Sequence, residues 1–145
     1  MAKMSEEQVY DFLDFGTRTA HLATVRADGR AHVKPTWFVL EGIPEEFTLL
    51  LNTGAGTVAG RNLARDNRVT VSVDDPNPPF SFVIIEGTAE LIDDLAQVTE
   101  SAAVIGGRYM GADRAAEYGK RNGVPGELLV RITPTKVIAE ADLAE

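Results

Sequence analysis

The chain has 145 residues, with 14 Lys and Arg against 22 Asp and Glu, for a net charge of −8. That balance argues against nucleic acid or an anionic membrane surface as a partner, since both require a cationic footprint; the lack of cysteine excludes disulfides and thiolate metal sites. Hydrophobic residues at 44% and charged residues at 25% suit one globular domain over residues 1–145, and without an apolar signal core or a bilayer-length apolar run it reads as cytoplasmic.

"SEEQ" at residues 5–8 is a capping-box pattern. Val9, Phe12, Leu13 and Phe15 follow at near-helical spacing and Gly16 ends the run, predicting a short amphipathic first helix. Asp28-Gly29 lies between two β-rich runs and predicts a hairpin with arms over 19–26 and 31–40. Pro35 cannot donate to a ladder, so its arm is expected at an edge or a bulge. "FTLLLNT" predicts a third strand with Phe47, Leu49 and Leu51 on one face, and residues 57–65 a short helix. "RVTVSVD" and "FSFVIIEGTAEL" predict two further strands, separated by the breaker "PNPP". The segment 93–110 is expected to be helical as far as Gly106-Gly107. A second helix lies within 111–123, with Asp113 as N-cap and Gly123 just past its end. Strands over 128–133 and 136–139, around Pro134, complete six or seven. The tight spacing favours a small antiparallel barrel over parallel βαβ units.

"NTGAGTVAGRNLARD", residues 52–66, is the segment with the most evident chemistry. A helix N-terminus presents unpaired amides and the positive end of its dipole, which favours an anion. Gly54 and Gly56 let the backbone curl, Thr53 and Thr57 offer hydroxyls, and Arg61 lies one turn in with a fork suited to phosphate. The same residues also suit a plain turn, with Thr57 an ordinary N-cap and Arg61 and Arg65 a solvated face. Neither standard nucleotide fingerprint is present: "GAG" has no third glycine, and no Gly-Lys-Ser/Thr follows.

The run "NTGAGTVAGRNLARDNRVTVSVDDPNPPFSFVIIEGTAEL" resembles the flavin/deazaflavin oxidoreductases. These are split-β-barrel proteins like pyridoxamine 5′-phosphate oxidase, and the likeness is to the branch using the deazaflavin coenzyme F420. It extends back into "GTRTAHLATVRADGRAHVKPTWFVL" and forward into "IGGRYMGADRAAEYGKRNGVPGELLVRITPTKV", nearly the whole chain. It implies a mainly β fold with flanking helices, a six-stranded antiparallel split barrel of FMN-binding type. It also implies a homodimer with two cofactor sites at the subunit interface. Carried over by position, Asn52, Thr53, Thr57, Ala59, Gly60, Arg61 and Asn62 match the stretch around the cofactor phosphate and ribityl chain. Lys34, Pro35, Thr36 and Trp37 match positions beside the deazaflavin ring. Trp37, Phe80 and Phe82 match the substrate pocket, the two phenylalanines coming from the partner subunit. Core packing would equally account for Phe82 and Trp37.

One position departs from the pattern. Relatives commonly carry a phosphate-directed lysine where this chain has Ala59. Lys34 is a candidate replacement across the sheet, or else an exposed lysine at a strand edge. Arg65 and Arg68 complete the local cations, or serve as solvated helix-end charges. Side chains for protein-borne catalysis are few. A two-histidine metal site would need His21 and His32 to converge from facing hairpin arms, Ser72 and Ser81 have no evident base, and no metal site and no catalytic residue is expected. That suits a reductase whose cofactor supplies the hydride chemistry, transferring hydride to a small conjugated acceptor. FMN is the alternative cofactor, in an enzyme of the pyridoxamine-phosphate-oxidase type, and a non-catalytic cofactor- or haem-binding barrel is the alternative from another class.

Overall fold

A computed structural model describes residues 2–145. In chain order it contains β1 (Ala2–Lys3), α1 (Glu6–Asp14), β2 (Ala20–Val25), β3 (Ala31–Thr36), β4 (Val39–Ile43), β5 (Glu46–Gly54), α2 (Val58–Arg65), β6 (Arg68–Asp75), β7 (Ser81–Ile92), α3 (Leu95–Met110), a 3-10 turn (Ala112–Arg114), α4 (Ala115–Asn122) and β8 (Glu127–Ala141). The strands form one antiparallel sheet in the order β3-β2-β6-β7-β8-β5-β4, with β1 paired to the far end of β8. The mainly β class with flanking helices is as expected, but the described residues form eight strands instead of six or seven.

The extra strands have physical causes. The second hairpin arm does not continue to Leu40. It ends at Thr36, and the chain turns inward at Phe38, which is fully buried, before β4 starts. Pro35 lies on the edge strand β3, where no neighbour needs its missing N–H. Pro134, in contrast, does not divide the last strand. β8 runs for 15 residues, and its pairing with β7 shifts register between Glu86 and Gly87, so Thr135 is the extra residue and donates to Glu86 O at 3.1 Å. Gly87 has no alternative there, because a Cβ would lie 2.4 Å from Thr133 O.

Val71, Val73, Val83, Ile85, Leu49, Leu51, Val130 and Ile132 alternate onto the inner face. Leu22, Phe38 and, from α1, Leu13 meet them in one core, so the sheet curls around a single apolar centre. α1 starts with the anticipated capping box at Ser5 and Gln8. α3 continues through Gly106-Gly107 to Met110 because α4 packs against those glycines: a Cβ on Gly106 would fall 2.2 Å from Tyr118 Cβ. A Cβ on Gly123 would likewise fall 2.2 Å from Thr99 Oγ1, and one on Gly119 3.0 Å from Ala103 Cβ and 3.1 Å from Thr99 O, so the two helices meet almost backbone to backbone. Asp113 is part of the 3-10 turn and does not cap α4, whose N-cap is Arg114 without a side-chain bond.

Candidate functional site

β5 delivers Thr53 on its inner face, the chain turns through Gly54 and Gly56, and α2 begins at Thr57. Thr57 caps the helix by accepting from Gly60 N at 3.1 Å, and its hydroxyl lies 3.2 Å from that of Thr53. The amides of Val58 and Ala59 follow in the first turn, where no intrahelical carbonyl can take them. Gly60 is fixed by packing: a Cβ would sit 2.2 Å from Gly54 O, so only glycine lets the helix lie on its own entry loop.

Across this mouth stands β3. His32, Lys34 and Thr36 share its inward face, since they pair with Thr24, Leu22 and Ala20, all buried. Lys34 reaches over the curled sheet and brings its Nζ to 3.3 Å from Thr53 Oγ1. The lysine is therefore not simply an edge guard, because its ammonium, two hydroxyls and the open end of α2 converge. Ala59 is turned into the protein and only 1% exposed. Position 59 thus offers nothing but its amide, and the cation at the mouth comes from strand β3.

Other anticipated residues have different partners. Asn52 faces the opposite side of β5 from Thr53 and donates to Ser101 Oγ of α3 at 2.9 Å, so the two side chains cannot hold one group. Asn62 is 4% exposed; it donates to Thr24 Oγ1 at 3.0 Å and accepts from Arg65 Nη2. Arg65 also donates to Val25 O, and Arg68 is bound by Asp66, whose carboxyl that guanidinium draws down to about 2. Neither is available as a cation for the mouth. Arg61 folds back and braces the loop through Gly56 O at 2.7 Å. Glu127, opposite Gly54 in β8, makes the far flank of the loop acidic. His21 and His32 lie on opposite faces of the hairpin and do not converge, and among the described residues no group of three His, Cys, Asp or Glu could hold a metal.

Beyond Thr36 the chain carries Trp37, 37% exposed. Phe38 fills the core beside it, so Trp37 is not the core anchor. Its ring instead stacks on Tyr109 of α3, with centroids 5.0 Å apart and planes 6° apart, and meets Tyr118 of α4 edge-on at 5.9 Å. Tyr109 Oη donates to Arg18 O at 2.6 Å and accepts from Phe38 N, and burial pushes its phenol up. It is a protonated positioning group. Sequence reasoning missed this pair of tyrosines because it ended α3 at Gly106-Gly107; the small residues admitting a second helix were the available signal.

Phe80 lies apart from this cluster, at the start of β7, with φ +65° and 41% of its surface exposed. Phe82 points to the outer face of the sheet, opposite Val83 and Ile85 of the core, which disposes of core packing as its role. Neither belongs to the Lys34–Trp37 cleft of its own chain.

A family model described as pyridoxamine 5′-phosphate oxidase matches residues 5–140. Comparison with curated proteins gives no match. Among solved structures the chain is similar to a conserved hypothetical protein from Mycobacterium tuberculosis, at 26% identity and TM-score 0.79, covering 94% of this chain and 84% of that one. It is also similar to an F420 reductase, at 26% identity and TM-score 0.67, covering 88% of this chain and 94% of that one. A heme binding protein from Mycobacterium smegmatis, at 18% identity and TM-score 0.70, covers 100% of this chain and 57% of that one, a likeness of fold alone.

Proposed function

We propose, since this chain belongs to the pyridoxamine 5′-phosphate oxidase family, that it is an oxidoreductase dependent on coenzyme F420, reducing a small conjugated acceptor. The observation that carries the reading is the meeting of Lys34 Nζ with the Thr53–Thr57 hydroxyl pair at the mouth of α2. This donor set fits a phosphate: the ammonium and the first-turn amides present hydrogens, while the Thr57 hydroxyl donates to Gly54 O at 2.7 Å and that of Thr53 donates to Thr57, holding the loop in place beside them. The likeness to an F420 reductase over most of both chains supports the deazaflavin over a flavin.

When bound, the reduced coenzyme supplies the hydride. Lys34 and the first-turn amides of α2 would hold its anionic end, Arg61 braces the loop beside them through Gly56 O, and the segment from Lys34 to Trp37 would flank the rest. Trp37, propped by Tyr109 and Tyr118, forms an apolar wall that excludes water and orients the acceptor. Phe80 and Phe82 are too far around the sheet to close that pocket from within one chain, which supports a homodimer in which the partner supplies them.

Titration of the purified apo-protein with coenzyme F420 tests this. Saturable quenching of the coenzyme's fluorescence is expected, weakened about ten- to a hundredfold by Lys34→Met, the worth of one charge-assisted hydrogen bond. A response to FMN and none to F420 would transfer the assignment to a flavin enzyme, and a Soret band on haem addition would transfer it to a haem carrier.

A further inference from the structure

We infer that the α3–α4 face of the pocket selects acceptors bearing a carboxylate conjugated to a planar ring system, with Arg121 as the residue that receives the carboxylate. The inference rests on the reading above and assigns the substrate class of that same site. Tyr118 is only 6% exposed, yet two guanidiniums lie against its ring, Arg114 at 5.2 Å and Arg121 at 5.4 Å from the centroid. Trp37 takes an edge of the same ring. Three hydrogen-bonding fates are thus distinguishable around the aromatic cluster. Arg108 is fully committed to the main chain, donating to Gly16 O, Phe38 O and Leu13 O. Arg114 is paired with Glu117 at 2.7 Å. Arg121 is exposed, and among the described residues no carboxylate or carbonyl receives it.

The Arg26 side chain is likewise exposed without a partner among the described residues; what distinguishes Arg121 is that its guanidinium is ordered against an aromatic ring. Stacking over Tyr118 orders its fork without using its N–H donors, which leaves a flat, pre-positioned carboxylate receptor on the same ring that Trp37 meets edge-on. Trp37 already has Tyr109 on one ring face, so a planar ligand would continue the stack on the other. Stacking surface and guanidinium together define a ligand that is both planar and anionic. The neutral aromatic, lacking the charge, would gain only the stack.

Trp37 is the sole tryptophan, so its fluorescence reports this pocket directly without turnover. The probes are cinnamate and cinnamamide, equal in shape and different in charge. Cinnamate should quench Trp37 at about a tenfold lower concentration than cinnamamide, with the difference abolished in Arg121→Gln and largely restored in Arg121→Lys. Equal quenching by acid and amide, or a preference that survives Arg121→Gln, would overturn the inference. Carboxylates also occur on the coenzyme's glutamate-bearing tail, so its affinity is measured for the same variants. A loss of F420 affinity in Arg121→Gln with the cinnamate preference intact would assign the arginine to the tail and overturn the substrate role. Wild-type protein that binds no F420 at all overturns the proposed function itself, and with it the assignment of the carboxylate ligand as a hydride acceptor.

Discussion

Arg108 shows how a single side chain can fix three elements. Its guanidinium caps the carbonyl end of α1 through Leu13 O and Gly16 O and ties that end to Phe38 O, while its plane lies over the Phe38 ring at 4.7 Å. Asp66 has a comparable role at the exit of α2, held by two bonds from the Arg68 side chain and one from its amide. Because those bonds lower its folded pKa to about 2, the carboxylate contributes stability that is fully present above its unfolded value of 3.8 and is lost as pH falls through the folded one. Denaturation midpoints of the wild type should therefore fall more steeply between about pH 4 and pH 2 than those of Asp66→Asn; parallel profiles would show that the clasp contributes nothing to folding. Lys34 marks the limit of reading at this scale. The sequence offers a cation near the missing lysine of position 59, but whether it meets Thr53 depends on how far the sheet curls, which no local pattern encodes.

At the scale of elements, the entry loop and α2 form one unit held by the absence of a side chain at Gly60. Alanine is ordinarily the better helix former by about 1 kcal/mol, yet here its Cβ would meet Gly54 O at 2.2 Å and Ala55 O at 3.0 Å. Overpacking of this kind costs about 1–3 kcal/mol. Gly60→Ala should thus destabilise the protein in urea by about 1 kcal/mol net and displace the loop that presents Thr57, lowering coenzyme affinity in the titration above; a stabilised variant would contradict that packing. Most elements were legible. The capping box at Ser5, the Asp28-Gly29 turn, the alternation of β6 and the N-cap at Thr57 are local signals, and the chain obeys them. The errors came where tertiary contacts overrule local chemistry. Gly106-Gly107 breaks no helix because Tyr118 needs the space, and Pro134 ends no strand because a bulge absorbs it. The same limit applied to the site: Asn52 and Asn62 have the right type and position in sequence, but one faces α3 and the other the interior.

For the whole molecule, α3 covers the outer face of the curled sheet at β5 and the adjoining part of β8, and the rest of that face has no covering helix. Pro35, His21, Ser72, Ile84 and Ile138 are aligned in register across β3, β2, β6, β7 and β8, exposed or half-buried, with Val33 and Phe82 in adjoining rows. A second copy seated there would cover this apolar band and bring Phe80 and Phe82 toward the neighbouring chain's pocket. Sedimentation should give twice the chain mass, and Ile84→Arg, a charge placed at the centre of the band, should give a monomer with impaired F420 binding. A wild-type monomer that binds the coenzyme tightly would refute the shared pocket.

The glycine contacts that let α4 lie against α3 have a further consequence. Tyr118 and Arg121 ride on a helix whose seat is set by Gly119 against Ala103 and Gly123 against Thr99, none of which belongs to the Lys34–Thr53–Thr57 cluster. A one-methyl enlargement at such a seat would tilt α4 and carry aromatic ring and guanidinium with it, while the Lys34–Thr53–Thr57 cluster, built on other elements, would stay where it is. Under the proposed function, acceptor preference would then be free to drift without loss of coenzyme binding, through changes that a catalogue of pocket-lining residues would overlook.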